Sequence, residues 1–172
     1  GHIFPALSIA DELNLQKNKY EILFIGAKNR MEMKKVATAG YNIKGIWIDG
    51  LQRNMSLRNL IFPIKLFVSL LQSLFILIQF NPSCVVGTGG FVSGPVVFIA
   101  AILRIPTIIH EQNSFPGITN RILGKVVDQV CVSYKNMTQF FPKNKVIKTG
   151  NPVRKLLKIN INKKNALDYF GF

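Results

Sequence analysis

The stretch Val85-Val86-Gly87-Thr88-Gly89-Gly90-Phe91-Val92-Ser93-Gly94-Pro95 decides how the chain is read. The apolar run ending at Val86 predicts a short buried strand, and the residues from Pro95 to Leu103 predict a helix. Between them lies GTGGFVSG, residues 87–94. At a strand-to-helix turn, glycines let backbone N–H groups approach a phosphate or diphosphate at the helix N-terminus. The loop has neither the lysine of a P-loop nor the spacing of the dinucleotide fingerprint, so neither nucleotide hydrolysis nor NAD binding follows from it. The same residues also fit a tight structural turn.

The alternation of strand and helix continues on both sides of this loop. Upstream, helical spacing of Leu7, Ile9, Ala10 and Leu13 predicts a helix over 4–15 opening near Pro5. A strand over 21–26, a helix over 31–39 closed by Gly40, and a strand over 43–48 follow. Downstream come a strand over 107–110, a helical piece over 119–123, a strand over 129–132, a helical turn or two over 135–141 and a strand over 145–147. Such alternation predicts an α/β fold, a Rossmann-like parallel sheet with helices on both faces. The order opens on a helix, so a first strand and its loop are expected upstream of Gly1. Residues 1–154 read as one domain lacking that strand, and residues 155–172 as a linker and the start of a further domain. Both ends of the chain read as cut.

Composition narrows the class. An apolar fraction of 48% with 13 phenylalanines excludes a disordered chain. Lys and Arg total 22 against 8 Asp and Glu, a formal charge of +14, which calls for an anionic partner: nucleic acid, a phosphorylated ligand or acidic lipid. A Lys- and Asn-rich coding bias gives the same total. No stripe of interleaved aromatic and basic residues of the single-strand-binding kind is present, so nucleic acid is not the expected partner. Cys84 and Cys131 lie in apolar runs and are expected to be free, buried and reduced.

The longest apolar stretch is residues 57–80, LRNLIFPIKLFVSLLQSLFILIQF. Pro63, Lys65, Gln72 and Gln79 interrupt it, which predicts a helix at a membrane interface or packed on the sheet rather than a bilayer span. Arg53, Arg58 and Lys65 would face anionic headgroups, and Phe62, Leu66, Phe67, Leu70 and Leu71 would supply apolar depth. An ordinary buried crossover helix is the alternative.

Two further loops end predicted strands, the position where open parallel sheets bind ligands. HEQNSFPG, residues 110–117, offers a histidine, a carboxylate and two amides for sugar hydroxyls or a diphosphate. GNPVR, residues 150–154, offers the fork of Arg154 for a phosphate or carboxylate. His2 and His110 are the two histidines, both at strand-end loops, and they do not make a zinc set.

Taken in order, GHIFPALSIADEL from Gly1, GTGGFVSGP from Gly87, IIHEQNSFPGITNR from Ile108 and GNPVR from Gly150 resemble the successive motifs of the MurG-type glycosyltransferases. The resemblance runs from Gly1 to Arg154. It implies the N-terminal, acceptor-binding domain of a GT-B enzyme with two Rossmann-like domains. That family transfers N-acetylglucosamine from its UDP donor to undecaprenyl-diphosphate muramoyl-pentapeptide, making lipid II from lipid I in peptidoglycan synthesis. It inverts the anomeric centre, uses no catalytic metal or other cofactor, and works as a peripheral protein on the cytoplasmic face of the inner membrane.

Carried over by motif, the resemblance places Gly1, His2, Gly87, Thr88, Gly89, Gly90 and Ser93 at the acceptor diphosphate. It places His110, Glu111 and Asn113 in the cleft, with Asn113 and Arg154 toward UDP-N-acetylglucosamine. It identifies Phe62, Lys65, Leu66, Phe67 and Leu70 with the membrane patch. Phe91 stands where members often carry tyrosine. Inversion needs a base for the acceptor hydroxyl, for which His110, His2 and Glu111 are the candidates. Without a donor domain the chain is expected to be inactive alone. The rivals are a non-catalytic basic domain binding phosphorylated ligands or nucleic acid, and a two-domain UDP-sugar epimerase, against which the HEQN loop speaks.

Overall fold

Gly87 ends one of six short strands that alternate with helices along the described residues. The computed structural model describes residues 2–16, 20–50, 60–153, 167, 169 and 171. Helix α1 (Ile3–Asn14) leads to β1 (Leu23–Ala27), α2 (Met31–Thr38) and β2 (Asn42–Ile46). The long α3 (Phe62–Phe80) then leads to β3 (Val85–Gly87), α4 (Ser93–Ile102) and β4 (Thr107–Glu111). Helix α5 (Ile118–Leu123), β5 (Gln129–Val132) and β6 (Val146–Lys148) complete the series. Residues 135–141, expected as helical turns, hold a single 3₁₀ turn at Met137–Gln139.

All pairings are parallel, as the α/β alternation requires. The sheet nevertheless comes in two pieces. Strands β1 and β2 pair with each other, Leu23 opposite Asn42 and Ala27 opposite Ile46. Strands β3 to β6 pair in chain order, with Val85 opposite Thr107, Ile108 opposite Gln129 and Val130 opposite Val146. One apolar cluster nonetheless joins the pieces. Ala27 and Ile46 belong to the same buried core as Leu77, Val97, Ile109 and Val130. Each fully buried Val, Leu or Ile side chain among them contributes about 1.5–3 kcal/mol.

Helix α3 corrects one expectation. Pro63 falls in the helix's first turn, where its missing N–H costs nothing, so it opens the helix instead of interrupting it. The helix runs 19 residues to Asn81, which closes it in the left-handed conformation at φ 50°. By length and composition it is apolar enough to cross a membrane. One face, however, is packed within the protein: Ser69, Ser73 and Leu77 are buried. The two hydroxyls are satisfied inside the helix, Ser69 donating to the Leu66 carbonyl and Ser73 to that of Ser69, each at 2.7 Å. Small buried side chains let α3 lie close against its neighbour α4.

The cysteines give a second correction. Both are free, but Cys84 is exposed and Cys131 only partly buried. Cys84 precedes the first paired residue of β3, so it sits at the bottom edge of the sheet instead of within it.

Candidate active site

Three chain segments meet above the C-terminal ends of β3 and β4. They are His2 at the start of α1, the loop of residues 87–94, and the loop of residues 111–117. The register places Gly87 opposite Ile109, so Thr88 and His110 emerge side by side. The glycines have separate reasons to be there. A Cβ on Gly87 would come within 2.8 Å of Val97 Cγ2, so this glycine permits close packing of β3 on α4. Gly89 and Gly90 have φ of +98° and +77°, and a Cβ on Gly89 would lie 2.7 Å from His2 Nδ1. These two glycines make a flat seat for the imidazole of His2.

His2 is held through one ring nitrogen. Its Nδ1 lies 3.0 Å from the Thr88 carbonyl and 3.1 Å from Gln112 Oε1. Thr88 returns the contact, its hydroxyl donating to the His2 carbonyl at 2.9 Å. A carbonyl oxygen can only accept, so Nδ1 carries a hydrogen, and in the neutral imidazole Nε2 then keeps its lone pair on an exposed ring. Neither α1 nor α4 has a side-chain cap or an acidic residue in its first turn. The positive end of each helix dipole, with no acidic side chain against it, favours an anion there.

His110 is engaged differently. It is buried, with Nε2 2.9 Å from the Gly150 carbonyl and Nδ1 2.9 Å from the Gln112 side-chain nitrogen. The carbonyl makes Nε2 the donor, and Nδ1 accepts from Gln112. Both ring nitrogens are therefore committed to the protein. Glu111 is only 1% exposed, and both of its oxygens are occupied. Oε1 accepts from the Asn113 backbone and side-chain N–H groups, each at 3.0 Å. Oε2 accepts from Gly117 N at 3.3 Å and Asn120 Nδ2 at 2.9 Å. Four N–H donors take the place of a cation and fold the 111–117 loop around the carboxylate.

The sequence-derived candidates separate accordingly. His2, Gly87, Thr88, Gly89, Gly90, His110, Glu111 and Asn113 come together. Ser93 joins them through its hydroxyl, which donates to the Gly89 carbonyl at 2.7 Å. Gly1 and Arg154 lie outside the described residues, as do Arg53 and Arg58. On α3, Phe67 is exposed, Phe62 and Leu70 are partly exposed, and Leu66 packs against the core. Lys65 turns back to pair with Asp49 and lies 5.3 Å from the Trp47 ring, so its charge is not presented outward. Asp49 is held below the usual carboxylate range, first by the Lys65 hydrogen bond and then by Arg30. Among the described residues no cluster of three His, Cys, Asp or Glu side chains could hold a metal ion.

Sequence reading counted Gln112 only as one of the two amides of the 110–117 loop and passed over Asn120. Asn120 is buried, donating to Glu111 Oε2 and, at 3.3 Å, to the His110 carbonyl. Gln112 touches both histidines. Neither residue type is chemically reactive, and only their tertiary neighbours reveal them.

Residues 1–132 match the glycosyltransferase family 28 N-terminal domain. The chain is 54% identical, over 171 residues and 99% of its length, to a Flavobacterium psychrophilum protein, of which it covers 47%. That protein is a UDP-N-acetylglucosamine--N-acetylmuramyl-(pentapeptide) pyrophosphoryl-undecaprenol N-acetylglucosamine transferase. A transferase of the same name from Phocaeicola vulgatus is 46% identical over 172 residues, 99% of this chain and 46% of its own. The chain thus spans about half the length of the curated relatives it matches. Among solved structures, Acinetobacter baumannii MurG superposes with a TM-score of 0.72 at 29% identity, over 90% of this chain and 42% of that one. The S. aureus MnaA–UDP co-structure superposes at 0.66 with 14% identity, over 99% of this chain and 48% of that one, a likeness of fold alone. With its sheet, its glycine loop and its histidines placed as described, the chain belongs to glycosyltransferase family 28 and carries that family's N-terminal domain.

Proposed function

We propose that this chain is the acceptor-binding half of an inverting N-acetylglucosaminyltransferase that converts lipid I to lipid II in peptidoglycan synthesis. The donor is UDP-N-acetylglucosamine, and the acceptor is undecaprenyl-diphosphate-linked muramoyl-pentapeptide. The observation that carries this is the His2 ring, seated on Gly89 and Gly90, with Nδ1 spent on the Thr88 carbonyl and Nε2 left as a proton acceptor. Two helix N-termini beside it, with no acidic side chain in their first turns, suit the acceptor's diphosphate. In the transfer step the acceptor hydroxyl oxygen bonds to the anomeric carbon as that carbon's bond to the UDP oxygen breaks. The hydroxyl proton passes to His2 Nε2, and UDP leaves with the electron pair. His110 and Glu111, with their polar atoms occupied, hold the cleft loop.

The relatives' greater length supports a second domain that carries the donor site. The separation of β1 from β3 supports a domain of residues 1–154 completed by a further strand preceding α1, with residues 155–172 leading out of it. The outward face of α3 supports attachment as a peripheral protein to the cytoplasmic face of the inner membrane.

Joining the chain to the donor half of the Flavobacterium psychrophilum relative, with that relative's segment preceding α1 added, should restore sugar transfer that the chain alone does not perform. In that hybrid His2→Ala should lower turnover by about 10²-fold or more at saturating acceptor. Transfer by the isolated chain, or a fully active His2→Ala hybrid, would overturn the proposal.

A further inference from the structure

Gln112 stands between the two histidines. Its side-chain nitrogen lies 2.9 Å from the Thr88 carbonyl, 2.9 Å from His110 Nδ1 and 3.1 Å from the His110 carbonyl. Turning the amide over would set its oxygen against two carbonyl oxygens, so the orientation is fixed by its surroundings. The amide oxygen consequently faces His2 Nδ1 at 3.1 Å. A continuous chain of hydrogen bonds results. His110 Nε2–H donates to the Gly150 carbonyl, Gln112 donates to His110 Nδ1, and His2 Nδ1–H donates to Gln112 and to Thr88. The two rings are thereby locked in opposite tautomers, Nδ1–H at His2 and Nε2–H at His110.

We infer that Gln112 is a positioning residue, whose amide, oriented by the Thr88 and His110 carbonyls, bridges the two rings and adds to the Thr88 carbonyl in holding His2 in the Nδ1–H form. The inference rests on the proposed role of His2 as proton acceptor only for its functional meaning. Free imidazole side chains prefer the Nε2–H form, which would cover the nitrogen that has to take the proton. Gln112 and the Thr88 carbonyl work against that preference. The local sequence makes the bridge feasible. Gln112 lies two residues beyond His110 and folds back over it, while Glu111 between them is turned inward and anchored by Asn113, Gly117 and Asn120. The chain of bonds also ends on a defined backbone point, since Gly150 is held at φ +79° by the turn after β6.

The test is a long-range ¹H–¹⁵N correlation on the ¹⁵N-histidine-labelled chain at about pH 8.5, above the imidazole range near 6.5. Two histidines make two spectra to separate, and a His110→Phe sample assigns them. The wild-type chain should show His2 as Nδ1–H and His110 as Nε2–H; any other pair overturns the inference. Gln112→Leu should move the His2 tautomer ratio about five-fold toward Nε2–H, the worth of one lost hydrogen bond. A folded Gln112→Leu chain with an unchanged His2 ratio overturns it. Should that variant not fold, Gln112→Asn, whose shorter side chain withdraws the acceptor from His2 Nδ1, should shift the ratio in the same direction; an unchanged Nδ1–H spectrum in folded Gln112→Asn overturns the inference equally. In the hybrid transferase Gln112→Leu should lower kcat with little change in KM for the acceptor. A shifted tautomer with an unchanged kcat would support the inference about Gln112 and count against His2 as the base, so the two failures are told apart.

Discussion

Gly89 combines a φ of +98° with a histidine ring lying where its side chain would be. An alanine there meets both a backbone conformation costly to L-residues and a 2.7 Å clash with His2 Nδ1. Gly89→Ala should therefore cost about 1–3 kcal/mol in urea unfolding and displace His2. In the hybrid enzyme its loss of turnover should approach that of His2→Ala; a stable, active Gly89→Ala would separate the loop from the chemistry. The histidines show why residue type alone left the base open. His2 and His110 have the same reactivity, but one ring is exposed with a nitrogen to spare and the other is buried with both nitrogens bonded. Burial and partners separate them.

Helix α3 divides its residues by the 3.6-residue period. Ile64, Phe67, Leu71, Phe75 and Ile78 recur at spacings of three and four and are 41–71% exposed, opposite the buried Ser69, Ser73 and Leu77. So contiguous an apolar stripe signals a binding surface. Phe67→Ser with Phe75→Ser should leave the unfolding transition almost unchanged and weaken sedimentation with anionic phospholipid vesicles several-fold, through loss of buried apolar area. Undiminished vesicle binding would assign the stripe to another partner. The apolar character of 57–80 was readable in sequence, yet the assignment of Leu66 to the core and Phe67 to the outside was not. The stretch is apolar nearly all round, so hydrophobicity carries no phase. Only the serines mark the packed side, because close approach to α4 needs small residues.

Across the molecule, one carboxylate ties two strands together. Asp128, just before β5, accepts from the Thr107 backbone N–H and hydroxyl, each at 2.8 Å, at the start of β4. The Thr107 backbone N–H first, then its hydroxyl, with a smaller contribution from Lys145, hold the Asp128 carboxyl below its ordinary value. A depressed folded-state value means stability that is present above the unfolded value of about 3.9 and is lost as pH falls through the lower folded value. Stability measured by urea unfolding should thus drop between about pH 4 and the acid limit. Asp128→Asn should flatten that part of the profile; an identical acid limb in the variant would show that other carboxylates set it. Such a small tie matters because the strands it joins are only five and four residues long.

The alternation of apolar runs with glycine-bearing loops determined by itself that this is a parallel α/β domain, and the ordered motifs from Gly1 to Arg154 pointed to its family. Those features are local: strand, turn and helix each depend on residues a few positions apart. The site depends on distances that the sequence does not contain. His2 and Gln112 are 110 positions apart, and His110 and Gly150 are 40 apart, but each pair is joined by one hydrogen bond. Which histidine keeps a free lone pair, which carboxylate is spent on a loop, and whether Cys84 is covered were decided only when the parallel register brought β3 beside β4. Tautomer, burial and partner are properties of neighbours in space, and only the tertiary structure supplies them.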